Sequence, residues 1–147
     1  MNIRKADVIP RMPMRDESLY SKESKCYYAF NIPGLQYRFA LYPNGINDET
    51  RNDVVLCLIV NGYKHRKVQA KLKFSIKSAN VESESKDFIF NTYIGQGIYI
   101  CSFDELLNST NKFFINGEMN MKIEGSLAVE RSLIPVSLLF SSFYYSF

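Results

Sequence analysis

The chain contains no tryptophan, one histidine and three cysteines among its 147 residues, and each shortage closes off a kind of chemistry. A Ser-His-Asp or Cys-His mechanism has to use the lone imidazole. That residue, His65, sits in Tyr63-Lys-His-Arg-Lys67, where neighbouring cations disfavour imidazolium and no carboxylate orients the ring. An exposed turn histidine is the better reading. A hydrolase built from Cys101 or Ser102 with His65 is a poor rival, and no catalytic residue is assigned. Cys26, Cys57 and Cys101 are odd in number and lack metal-ligand spacing, so no metal site and no cofactor are expected. Cys57 lies inside an apolar run, where a thiol acts as a small hydrophobe, and a reducing compartment follows as the simpler setting.

Charge of one sign is also scarce. A formal net charge of +3 gives no concentrated basic face, so no nucleic-acid partner is expected. The cluster Lys64, His65, Arg66 and Lys67 reads as a solvated turn. Long apolar runs are missing too. The opening "MNIRKADVIPRMPMRDES" has no apolar core of a secretory signal, and the apolar tail from Leu133 to Phe147 is shorter than a span and broken by Pro135 and serines. No membrane is expected. The acidic loop "ANVESESKD" offers Ser83 and Ser85 beside glutamates as phosphorylation candidates, although polar loops commonly look this way.

What the chain does have is apolar bulk, at 46% hydrophobic and 14% aromatic residues, enough for one packed domain rather than a disordered chain. Its main signal is alternation with period two. In "VQAKLKFSIK", Val68, Ala70, Leu72, Phe74 and Ile76 take one face, while Gln69, Lys71, Lys73, Ser75 and Lys77 take the other. "DVVLCLIV", Asp53 to Val60, is a continuous apolar run, as in a central strand covered on both sides. "DFIFNTYI" and "IYIC" read as strands around a Gly95 and Gly97 loop. "EMNMKIEGSLAVE" reads as a late strand with Met119, Met121 and Ile123 alternating and a bulge at Gly125.

Ser102-Phe-Asp-Glu105 fits a capping box opening a helix of about two turns at most, near 103–108. The polar stretch from Asn44 to Asp53 is expected to cross the end of the domain, with Pro43 presetting φ and with Asn44 and Gly45 tolerating positive φ. Many short strands with one short helix indicate an all-β antiparallel β-sandwich of about seven to eight strands.

Taken in order, "QYRFALYPNG", a polar loop, "VVLCLIV", "VQAKLKFSI", "GQGIYICSFDELL" and "INGEMNMKIEGSLAVE" resemble the MATH (meprin and TRAF homology) domain, nearest to the BTB/MATH adaptors of the speckle-type POZ protein group. The resemblance runs from Cys26 to Glu130 and implies a β-sandwich at 20–130, after a divergent segment at 1–19 and before an apolar tail at 131–147. It also implies a non-enzymatic module that binds an extended, Ser/Thr-rich peptide or partner protein in a shallow groove across one sheet, in the nucleus or cytoplasm, on behalf of a cullin-type ubiquitin ligase.

Carried over residue by residue, the groove is Cys57 and Leu72, then Phe88 and Phe90, then Gln96, Gly97 and Ile98. Only Phe90 and Gly97 keep the family's residue type. Cys57 stands at a tyrosine, Leu72 at a phenylalanine, Phe88 at a tyrosine, Gln96 at the tryptophan and Ile98 at a phenylalanine. The family's familiar peptide is therefore expected to bind poorly, since hydroxyl donors and flat aromatic surfaces are lost. Leu72, Phe88 and Phe90 fit a plain core equally well. The family's first strand has no clear counterpart, and no BTB domain is expected. The alternative function is a structural or self-associating domain with an idle groove, forming homo- or hetero-oligomers with BTB/MATH paralogues.

Overall fold

A computed structural model of the chain describes residues 2–4, 21–30, 32–62, 67–90, 95–131 and 134–136. His65, the basic residues Lys64 and Arg66, "ADVIPRM" and the tail beyond Val136 lie outside the described residues.

The strands in chain order are β1 (Asn2–Arg4), β2 (Lys22–Glu23), β3 (Tyr27–Tyr28), β4 (Gln36–Tyr42), β5 (Asp53–Asn61) and β6 (Lys67–Ile76). They continue as β7 (Val81–Glu82), β8 (Lys86–Phe90), β9 (Gly95–Ser102), β10 (Glu118–Asn120), β11 (Lys122–Arg131) and β12 (Ile134–Val136). One five-stranded sheet runs β2-β4-β5-β9 with β3 also on β4, and the other runs β12-β11-β6-β7 with β8 also on β6. All pairings are antiparallel. The architecture is the expected all-β sandwich. It is cut into twelve named strands rather than seven or eight, because both outer strands are interrupted and short ladders are added at each end.

The alternation in β6 does what its pattern requires. Val68, Ala70, Leu72, Phe74 and Ile76 are all buried, and they pack with Ile123, Leu127 and Val129 of β11. Opposite them stand Tyr37, Phe39 and Leu41 of β4 and Val54, Leu56, Leu58 and Val60 of β5, which closes a single core between the sheets. Strand β5 is central, as expected, and buried along its whole apolar run.

Each outer strand beside the core is broken by the same device. Between Glu23 and Tyr27 three residues lie opposite two of β4, and between Glu82 and Lys86 three lie opposite two of β6. The first extra residue is a serine in both. Ser24 donates its amide to the Phe39 carbonyl at 2.8 Å and its Oγ accepts the Phe39 amide at 2.9 Å. Ser83 repeats this with Phe74, at 2.9 Å and 2.8 Å. The hydroxyl replaces a backbone carbonyl in the ladder, so the Phe39 and Phe74 amides each keep an acceptor across the bulge. Ser83 is thus committed to the sheet, while Ser85 is exposed.

Several local expectations are corrected. Gly95 and Gly97 lie inside β9 rather than in a loop. Gly125 stands in regular register opposite Leu72, not in a bulge, and is glycine because a Cβ there would meet the Lys71 carbonyl oxygen at 2.3 Å. The late strand is split at Met121 into β10 and β11. Apart from these corrections, β1 pairs with β10 in a two-stranded ladder separate from the two five-stranded sheets.

In the loop after β4, positive φ falls on Gly45 and Asn52 and not on Asn44. The Asn44 side chain instead accepts the Asn52 amide at 3.0 Å. Asn47 and Thr50 cap a short 3-10 turn there, and Thr50 Oγ1 accepts the Ile46 amide at 2.8 Å. The helix α1 (Phe103–Leu107) carries the expected capping box, with Ser102 Oγ accepting the Glu105 amide at 3.1 Å and Glu105 accepting the Ser102 amide at 2.7 Å. Leu106 anchors it to the core.

Candidate functional site

The outward faces of the two sheets differ in kind. The face built on β6 and β11 is charged and laced with ion pairs: Lys71 to Asp87 at 3.9 Å, Lys73 to Glu82 at 3.7 Å and to Glu124 at 3.5 Å, and Lys122 to Glu124 at 2.8 Å. The Lys122 hydrogen bond leads the causes that hold the Glu124 carboxyl below its usual range. Such a face is a solvated sheet surface of the ordinary kind.

The face built on β4, β5 and β9 is apolar. Its central row is Ala40, Cys57 and Gly97, in register across three strands. On one side of that row stand Tyr42, Val55 and Tyr99, and on the other Arg38, Ile59 and Gly95. Ala40, Val55, Cys57 and Ile59 form a second, smaller cluster, with Tyr42 and Ile46 packed against it. Arg38 Nε lies 3.2 Å from Glu23 Oε2 at the edge of this patch.

The accessible part of the face is β9, where Gly95, Gly97 and Tyr99 are exposed and point outward together. Gly97 cannot gain a side chain without cost, because a Cβ would meet Val55 Cγ1 at 2.7 Å and Cys57 Sγ at 3.2 Å. This strand is also a sheet edge, since among the described residues only β5 pairs with it. An open edge exposes backbone donors and acceptors to another chain.

The residues expected to form a groove are divided by this arrangement. Cys57 and Gly97 stand side by side on the outward face. Leu72, Phe90 and Ile98 lie in the core, at 4%, 0% and 1% exposure, so they support the sandwich from within. Phe88 is half-buried and packs against the core from β8. Gln96 turns inward, and its Nε2 donates to the Ile89 carbonyl, tying the edge of one sheet to the edge of the other. Sequence reasoning missed Tyr99, although it keeps the alternation of β9 with Gly95 and Gly97 up to a bulge that follows it. Val55 pairs with Tyr99 but Val54 pairs with Cys101, so Ile100 is the extra residue. Ile100 and Cys101 are consecutively buried as a result, and Tyr99 is left at 52% exposure.

The two buried cysteines are poor nucleophiles. Burial pushes the Cys57 thiol up to about 11, and burial together with the Glu105 charge pushes Cys101 up to about 12, so neither holds thiolate at neutral pH. Burial and the neighbouring Cys57 raise the Tyr42 hydroxyl above its ordinary value, which keeps it a donor. Among the described residues no cluster of three or more His, Cys, Asp or Glu could hold a metal ion, and no helix is long and apolar enough to cross a membrane.

No protein-family model and no curated protein sequence matches this chain.

Proposed function

We propose that the chain is a non-enzymatic, MATH-like interaction module that captures an extended peptide along β9, as the substrate-recognition domains of ubiquitin-ligase adaptors do. The observation that carries this reading is the strip Gly95, Gly97 and Tyr99 on an open sheet edge, beside an apolar face, while the opposite sheet is covered with ion pairs. Neither glycine carries a side chain that could screen the edge of β9, where a second backbone can pair. Tyr99 then supplies a flat ring and a hydroxyl at the end of the strip. Strand addition draws affinity from main-chain hydrogen bonds and selectivity from alternate side chains. The partner class is an extended peptide or a flexible protein segment, met in the nucleus or cytoplasm.

Selection of a randomised peptide library on the full chain tests this. Recovered peptides are expected to lose about ten-fold in affinity on Tyr99→Ala, a loss of the size usual for an aromatic interface anchor. Lys71→Ala, on the charged sheet, is expected to leave binding unchanged. Equal binding by parent and Tyr99→Ala contradicts the reading. A second reading, pairing between copies, is favoured by Tyr28 and Phe30, which are 74% and 70% exposed beside an edge of β3 that no strand among the described residues covers. A dimer mass abolished by Tyr28→Ser with Phe30→Ser would support it.

A further inference from the structure

Beside β9, between the edges of the two sheets, lies a cleft of about 590 Å3. It exists for two local reasons. The bulge at Ile100 turns two consecutive residues of β9 inward, and β7 is only two residues long before the chain turns away through Asn80, whose φ is +54°. Farther along the same edge the Gln96 side chain ties β9 to β8, so the opening lies beyond that tie. Its apolar lining includes Val81 and the buried Ile100 and Phe113.

The rim is polar, and most of its groups are already engaged. Glu105 accepts the Ser102 amide at 2.7 Å, and this bond is the main reason its carboxyl stays below the usual range. Asn111 donates to the Glu105 carbonyl at 2.9 Å, and Thr110 Oγ1 donates to Asn108 Oδ1 at 2.7 Å. Among the described residues Lys112 is the one cation lining the cleft, and none of them forms an ion pair with it. Its φ of +55°, where the short turn Ser109–Asn111 ends, fixes the backbone from which the ammonium group reaches.

We propose that this cleft takes an aliphatic side chain and a following Asp or Glu of the bound peptide, with Lys112 reading the carboxylate. The inference rests on the β9 reading, because Tyr99 belongs both to the exposed strip and to the wall of the cleft. A peptide paired along the edge of β9 from Gly95 and running past Tyr99 reaches it directly. Four strand residues cover about 13 Å, so the acidic residue falls roughly four to six positions from the one beside Gly95. The apolar lining accounts for the aliphatic residue, and Lys112 for the acid, since the Glu105 carboxylate on the same rim is already bonded to the Ser102 amide.

The test uses peptides selected from the randomised library on the full chain, each also made with its acidic residue amidated. Lys112→Asn is the informative variant, because asparagine accepts positive φ and the turn is kept. It is expected to weaken the acidic peptides about three- to five-fold, the range of an exposed ion pair, and to leave the amidated ones unchanged. Peptides that depend on Tyr99 but show no acidic preference, or an equal loss for both forms on Lys112→Asn, overturn this inference and leave the strip reading intact. Peptides sensitive to Lys112→Asn but indifferent to Tyr99→Ala support the cleft and count against the strip. No selected binder from a folded chain overturns both.

Discussion

Cys57 and Cys101 show how much one residue's surroundings decide. Both are buried, while Cys26 is exposed. The ordinary thiol value is 9.0, and the folded chain holds the two buried thiols at about 11 and about 12. As pH rises above about 9 the unfolded chain loses these protons first, so stability falls with rising pH until the folded thiols also titrate. Below that range their contribution is fully present. Under reducing conditions the melting temperature is expected to decline between pH 9 and 11, and Cys57→Ala with Cys101→Ala should flatten that decline; an equally steep decline in the double variant contradicts the assignment. A thiol reagent at pH 8 should modify Cys26 rapidly and the other two only in denaturant. The burial of Cys57 was legible in its apolar run. That of Cys101 was not, because it depends on the extra residue at Ile100, and a one-residue irregularity redirects every side chain after it.

At the scale of elements, the two serine bulges are the least legible feature of the sequence. Alternation of apolar residues reports which face is buried, but a hydroxyl replacing a carbonyl in a ladder has no periodic signature. Ser24→Ala and Ser83→Ala each leave a phenylalanine amide, that of Phe39 or Phe74, without its acceptor. Each is expected to cost about 1–3 kcal/mol, measured by denaturant unfolding. A change below about 0.3 kcal/mol in both would mean that water replaces the hydroxyl at no cost. The helix α1 was legible because its capping box is a local pattern with fixed spacing. The Gly95 and Gly97 pair was misplaced, since glycine signals a turn and a close approach equally well, and only the contact of Gly97 with Val55 and Cys57 separates the two.

For the whole molecule, the two-sheet architecture could be read from β5 and β6 alone. A central run buried on both faces beside a strictly alternating strand leaves few arrangements other than stacked antiparallel sheets. The groove could not be read in the same way. Its expected members Leu72, Phe90 and Ile98 share the core, while Cys57 and Gly97 face outward, and that division follows from strand register. Burial on both sides of β5 also explains why the outward face of its sheet is apolar where the other is charged. The claim that this asymmetry serves peptide capture along β9 is tested most directly by amide hydrogen exchange of the full chain with and without a selected peptide. The account predicts added protection from Gly95 to Cys101 and unchanged exchange from Lys122 to Val129. Protection confined to β11, or to Tyr27 and Tyr28 on the opposite edge, would contradict it.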